Sequence, residues 1–197
     1  MNRRLLVAAR VALSGFCHVA LGGEAPARGT LVFDVKPFTS EIELKPKIEA
    51  QLKSGGLEWG VGNGKLVIAI MNKRFLKFDV AYFTRYGEAK SVELDPGIYH
   101  VDCAGFIPEG GFSVEKALSK GGYFNLDKMT FEIKAGETTT LEVLPVIRKE
   151  SAFFVKFFMP QVQIKVAGSH DAGVVVNERS EQSIAYDDYH GELKFQP

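Results

Sequence analysis

The stretch Val92-Glu93-Leu94-Asp95-Pro96-Gly97-Ile98-Tyr99-His100-Val101 and its echo Met129-Thr130-Phe131-Glu132-Ile133-Lys134-Ala135-Gly136-Glu137-Thr138-Thr139-Thr140-Leu141-Glu142-Val143 decide the fold. Each is an alternating run, a tight turn and a second alternating run. Val92 and Leu94 alternate with Ser91 and Glu93; beyond the turn, Tyr99, Val101 and Cys103 alternate with His100 and Asp102. Period-2 alternation on both sides of a turn predicts a β-hairpin. Pro96 presets φ for position i+1, and Gly97 accepts the positive φ that position i+2 of a type II turn requires. In the echo, Met129, Phe131 and Ile133 alternate with Thr130, Glu132 and Lys134. Ala135-Gly136-Glu137 turns the chain, and Thr139, Leu141 and Val143 resume the pattern. The run Thr138 to Thr140 is β-branched and stiff at χ1, which suits a pleated surface.

Towards the N terminus the same alternation marks residues 30–35, where Leu31, Phe33 and Val35 face one way. Ile42 and Leu44 read as strand. After Pro46, residues 47–53 fit either a strand or one to two helical turns, with strand preferred. Gly55-Gly56 and Gly60-Val61-Gly62-Asn63-Gly64-Lys65 invite a phosphate-loop reading, but Leu66 stands where Ser or Thr is needed and the glycine spacing is wrong. Asn63-Gly64 is better read as a type I′ turn, whose two central residues both need positive φ. It joins 57–62 to 66–71. The run Leu66-Val67-Ile68-Ala69-Ile70-Met71 is apolar on both faces, as a central strand covered on both sides should be. Residues 75–84 form another alternating strand, and Tyr86-Gly87 turns into the opening stretch.

Between the two expected hairpins, residues 104–123 form an insertion with glycine pairs at 110–111 and 121–122. Ser113 can cap a short helix over 114–118. Past Pro145, Arg148-Lys149-Glu150-Ser151 is expected to turn, and residues 152–159, with Phe153, Phe154, Phe157 and Phe158, to run as an aromatic strand. Val162, Ile164 and Val166 mark one more strand, and residues 174–176 a short edge strand. Residues 177–197 are polar and read as a loosely held tail. The expectation is an all-β domain over 28–176: a two-sheet antiparallel β-sandwich of about nine strands with one short helix in the insertion.

The chain has 197 residues, 24 basic and 24 acidic, for a net charge of zero. That balance argues against a nucleic-acid binder, which normally carries a basic excess or stripe. Residues 1–27 resemble an export signal: Arg3 and Arg4 lead, an apolar run over 11–21 is too short to span a bilayer, and Ala25-Pro26-Ala27 offers small cleavage-site residues. The alternative is an N-terminal amphipathic helix of a cytosolic protein. Arg3-Arg4-Leu5-Leu6-Val7 resembles a twin-arginine motif. Leu13-Ser14-Gly15-Phe16-Cys17 resembles a lipobox with an extra Phe16, so lipidation of Cys17 is the one route to a membrane. Removal of 1–27 takes away Arg3, Arg4, Arg10 and Glu24 and leaves a net charge of −2. It also leaves Cys103 as a lone thiol, expected to be buried.

Candidate chemistry is sparse. His100 and Asp102 lie two apart on one strand face, but two ligands do not make a zinc site, and a solvated face is the expectation. Ser169-His170-Asp171 places adjacent residues on opposite faces, which works against cooperation. Asp187, Asp188, His190 and Glu192 form an acidic cluster of the kind that is normally solvated. No nucleophile elbow and no His-Glu-x-x-His is present. No catalytic, cofactor-binding or metal residue is singled out.

The pattern Leu94-x-Pro96-Gly97-x-Tyr99-x-Val101, followed by Phe131-x-Ile133-x-Ala135-Gly136-Glu137-Thr138-Thr139-x-Leu141-x-Val143, resembles the transthyretin-like or carboxypeptidase-regulatory-like β-sandwiches of bacterial envelope proteins. Small exported lipoproteins of unknown function share it. The resemblance covers about fifty residues, and its motifs specify turns rather than chemistry. It implies a sandwich that binds or scaffolds something. The expectation is therefore a non-catalytic periplasmic or secreted module, or an outer-membrane lipoprotein, whose partner is a protein or envelope ligand. Two alternatives are a hydrolase with an acidic site near 104–123 and an accessory or inhibitor protein presenting the aromatic strand 153–158 to a protein partner.

Overall fold

The residues that alternate do so because one face of each strand is buried. Gly29–Val35 (β1) buries every second residue, with Leu31, Phe33 and Val35 at 0% exposure. The structure is a computed structural model that describes residues 27–69, 82–106, 121–152 and 155–190. In chain order, β1 is followed by Thr39–Ser40 (β2), the helix Pro46–Lys53 (α1), Gly56–Gly62 (β3), Lys65–Ala69 (β4), Tyr82–Arg85 (β5) and Ala89–Leu94 (β6). Then come Gly97–Phe106 (β7), Gly122–Ile133 (β8), Thr138–Ala152 (β9), Val155–Val166 (β10), Val174–Val175 (β11), Ile184–Ala185 (β12) and the 3-10 turn Tyr186–Asp188.

These twelve strands among the described residues form two sheets. The first runs β11-β10-β9-β1-β6, with β2 also beside β9; the second runs β12-β8-β7-β4-β3-β5. The all-β, two-sheet expectation holds. The purely antiparallel one does not: β1 and β2 pair parallel with β9, and β4 pairs parallel with β7. Side-chain alternation reports which face is buried and carries no information on the direction of the neighbouring strand.

Both expected hairpins are corrected for a related reason. β6 pairs with β1 in the first sheet, whereas β7 pairs with β4 and β8 in the second. The turn at Asp95-Pro96 therefore crosses between sheets. Gly97 has φ 158°, far from the value near +80° of a type II turn. Likewise β8 lies in the second sheet and β9 in the first. The Lys134–Glu137 turn between them is closed by the Glu137 N–H on the Lys134 carbonyl, with Gly136 at φ 72°. In an arch of this kind the apolar sets on either side of the turn face each other across the core, so they alternate just as hairpin strands would.

The Asn63-Gly64 hairpin stands as expected: φ is 49° and 72°, and Gly62 pairs with Lys65. Leu66, Val67, Ile68 and Ala69 of β4 are all buried, with β3 on one side and β7 on the other. Residues 46–53 are helical rather than extended. Pro46 occupies the first turn, where its missing N–H costs nothing, and Lys53 pairs with Glu49 at 2.8 Å one turn back. Arg148 to Ser151 do not turn; they continue β9, and the reversal falls between Ala152 and Val155, which are paired. Most of 75–84, the expected helix at 114–118, and Phe153 and Phe154 lie outside the described residues.

Pro145 stays inside β9 because nothing there needs its N–H. Val162 sends its own N–H to Asn177 Oδ1 at 2.7 Å, so Pro145–Val162 is not a hydrogen-bonded pair. The missing donor then falls on the opposite edge, between the end of β1 pairing at Val143 and the start of β2 pairing at Val146.

The sheets meet through one core. Leu31, Phe33, Leu141, Val143, Val162 and Ile164 come from the first; Leu57, Trp59, Leu66, Ile68, Val101 and Ile133 come from the second. Phe33 stacks on Trp59 at 4.3 Å, and Tyr82 lies 4.8 Å from the indole on its own sheet. Trp59 Nε1–H donates to Thr84 Oγ1 at 2.9 Å, with both residues buried. Replacing Thr84 by Val keeps the shape and strands the indole N–H. Thr84→Val should lower unfolding free energy by about 1–3 kcal/mol in denaturant titration; no loss would mean that the indole finds another acceptor.

Candidate functional site

The outer face of the second sheet is buried in part, and there it carries a polar cluster built around a buried charge. Leu66, Ile68, Val101 and Cys103 point into the core, so Lys65, Val67, Ala69, His100, Asp102 and Ala104 project outward. Val67, Ala69, Asp102 and Ala104 are nevertheless buried there, as is Glu58 of β3.

Asp102 is 1% exposed, which corrects the expectation of a solvated strand face. It sits at an irregularity: Val101 pairs with Met129 and Cys103 with Asn125, so residues 126–128 bulge out of β8 opposite it. Asp127 takes φ 51° in this bulge and turns its N–H onto Asp102 Oδ1 at 2.9 Å. Lys65 Nζ reaches Asp102 Oδ2 at 2.9 Å from the neighbouring strand β4. A buried carboxylate is tolerated when paired and hydrogen-bonded, and Asp102 has both. His100 is not joined to Asp102; its Nδ1 lies 3.0 Å from Asp127 Oδ1. The bulge thus inserts a second carboxylate between the two residues that sequence places side by side. The signal in sequence was Lys65, in register with His100, which only the parallel pairing of β4 and β7 brings near.

The hydrogen bond to Asp102, opposed by burial, raises the Lys65 pKa. This stabilisation is complete below the ordinary lysine value and fades as pH climbs through the raised folded value. In chemical terms the cluster is an internally neutralised ion pair that pins a bulge.

The other sequence candidates are not brought together. Ser169 Oγ donates to Asp171 Oδ2 at 3.1 Å and accepts the Asp171 N–H at 3.0 Å, closing a local turn, while His170 is exposed. Asp187 and Asp188 lie in the 3-10 turn and His190 follows it; Glu192 is outside the described residues. Among the described residues, no three His, Cys, Asp or Glu side chains are grouped to hold a metal ion. Cys103 is fully buried in the core, and burial pushes its thiol far above the ordinary range. The insertion is described only as the ends of β7 and β8; residues 107–120 lie outside. So does the leader, residues 1–26, with Cys17. No described helix is long and apolar enough to cross a membrane.

The C-terminal segment, expected as a loosely held tail, is tied down over 177–190. Asn177 and Asn125 are buried at 8% and 3%. Asn125 Nδ2 donates to the carbonyls of Val176 and Glu178 at 2.8 and 3.0 Å, and Ser183 Oγ donates to Asn125 Oδ1 at 2.6 Å. Tyr123 OH donates to the Asn177 carbonyl. Ile184 and Ala185 pair with Phe124 and Tyr123 of β8. The attachment combines side-chain amides, a two-residue ladder and scattered apolar side chains, none of which makes a periodic signal.

No family model matches this chain, and neither a curated protein nor a solved structure matches it.

Lys65→Met leaves a buried carboxylate without its cation, whereas Asp102→Asn keeps an acceptor near Asp127 and frees a half-exposed lysine to hydrate. Chemical denaturation should show a loss of about 3 kcal/mol for the first and about 1 kcal/mol for the second; the reverse order would refute this account of the cluster. Cys103 should react with a thiol reagent only at the rate of unfolding, and rapid labelling of the native protein would contradict its burial.

Proposed function

We propose that this chain is a non-catalytic, exported binding module, and that its contact element is the arm at the far end of β9 and β10. One observation carries the reading. Pairing of β9 with β1 ends at Val143, pairing with β2 ends at Ile147, and pairing of β10 with β11 covers Gln163 and Ile164. Beyond these, Arg148–Ala152 and Val155–Met159 pair with each other alone among the described strands. Five residue pairs make an arm of about 17 Å. It carries Phe157 opposite Glu150 and Phe158 opposite Lys149. A ribbon of two strands is marginal in water by itself, and its β10 half, Val155-Lys156-Phe157-Phe158-Met159, is rich in apolar residues, so packing on a partner would stabilise it.

Export is supported by the leader-like residues 1–27. The finer assignment to transthyretin-like sandwiches rests on the two turn motifs, which join opposite sheets as turns in a sandwich do. The hydrolase reading is weaker: of the buried outer-face carboxylates, Asp102 is committed to Lys65 and to the bulge.

Expressed in a bacterium that exports proteins, the mature chain should appear in the envelope fraction, with a new N terminus between residues 21 and 28 by mass spectrometry. An uncut chain in the cytosol would overturn export. A photo-crosslinker at position 157 should give a discrete adduct with an envelope protein that a crosslinker at position 93 does not; identical patterns would remove the arm as contact element.

A further inference from the structure

The segment after Asn177 covers something better buried than itself. Every residue from Glu178 to His190 is exposed or half-buried. Beneath it, Phe124, Ala69 and Ala104 are exposed by 1%, 1% and 3%. Among the described residues the cover includes Ile184, Tyr186 and Tyr189, with Tyr189 stacked on Phe124 at 3.9 Å and Tyr186 at 6.1 Å. Its ladder to β8 is two residues long, and Asn125 of β8 adds two side-chain hydrogen bonds, donating to the Glu178 carbonyl and accepting from the Ser183 hydroxyl. It lies on the outer edge of β8, whose other edge is occupied by β7.

That combination is strand addition performed within one chain. An extended segment pairs briefly with a free sheet edge, and side chains on one of its faces enter an apolar floor. The attached segment states what the edge recognises: Ile184-Ala185-Tyr186 with a second tyrosine three residues on. The acidic turn between the tyrosines, Asp187 and Asp188, stays in solvent.

We infer that residues 178–190 are a displaceable strap, and that the β8 edge beneath accepts, by strand addition, an extended tyrosine-bearing segment of a partner protein. The strap competes in cis, so apparent affinity for the partner segment is the intrinsic affinity reduced by the fraction of chains with the strap open. Weakening the strap without touching β8 raises that fraction.

The test uses the full chain and a fluorescein-labelled peptide of residues 181–190, read by anisotropy. Tyr189→Ala in the chain, which removes the 3.9 Å stack, should tighten peptide binding about tenfold. Phe124→Ala should abolish binding, and a peptide with both tyrosines replaced by alanine should not bind. A folded Tyr189→Ala chain that binds the peptide no better than the parent overturns the proposal. So does a concentration-dependent dimer of the parent, because the occupant is then a second copy's strap. Hydrogen exchange on the parent covers the case in which variants fail to fold. Amides of 183–189 should exchange about a hundredfold faster than those of the β7–β8 ladder, through local opening. Equal rates would make the segment part of the core and end the argument.

Discussion

The two sheets are held in register by the stack of Phe33 on Trp59. One ring comes from β1 of the first sheet and the other from β3 of the second, and each is buried. Aromatic pairs at this distance bring large apolar area and a preferred geometry together. The indole is fixed twice more, by Tyr82 alongside it and by the hydroxyl of Thr84. Aliphatic residues of β1, β4, β7 and β9 then fill the space around this contact. Trp59 lies in β3, whose partner β4 packs its far edge on β7, so the position of the outer-face cluster is inherited from the same contact.

The outer faces of the two sheets solve different problems. On the first sheet, Asp34, Glu142 and Lys165 lie in one row across β1, β9 and β10, and Lys36 closes on both carboxylates. Hydrogen bonding to Lys165 holds the Glu142 carboxyl below its ordinary range, and this row faces water. On the second sheet, Asp102 sits among buried alanines, valine and phenylalanine, and its charge is met by one lysine and one backbone N–H. A surface row of charges contributes little and tolerates change, whereas a buried paired charge specifies its surroundings closely.

Much of this was legible. The Asn63-Gly64 turn was read from the need for two positive φ values, and the doubly buried strand at 66–69 from its lack of any polar position. Burial faces are readable in β1, in 129–133 of β8 and in 139–143 of β9, because alternation measures them directly. Pairing partners were not. Asp95-Pro96-Gly97 looks the same whether the strands beside it share a sheet or face each other, since one parity points inward in both cases. Helix α1 hid behind its shortness: Ile48 and Leu52 lie four apart, yet none of its residues is buried. Asp102 and the 177–190 segment were missed because hydrogen-bonded polar side chains leave no periodic trace. The Asp102 cluster further depends on the parallel contact of β4 with β7.

The neighbours of β1 lie far apart along the chain. One edge is completed by β6, and the other by β9, which is synthesised about a hundred residues after β1 and defers closure of that sheet. A ribosome therefore releases most of the polypeptide before its first strand can be enclosed. Until then the apolar face of β1 has one bare flank. Closure of the first sheet therefore waits on β9, however early β1 and β6 find each other.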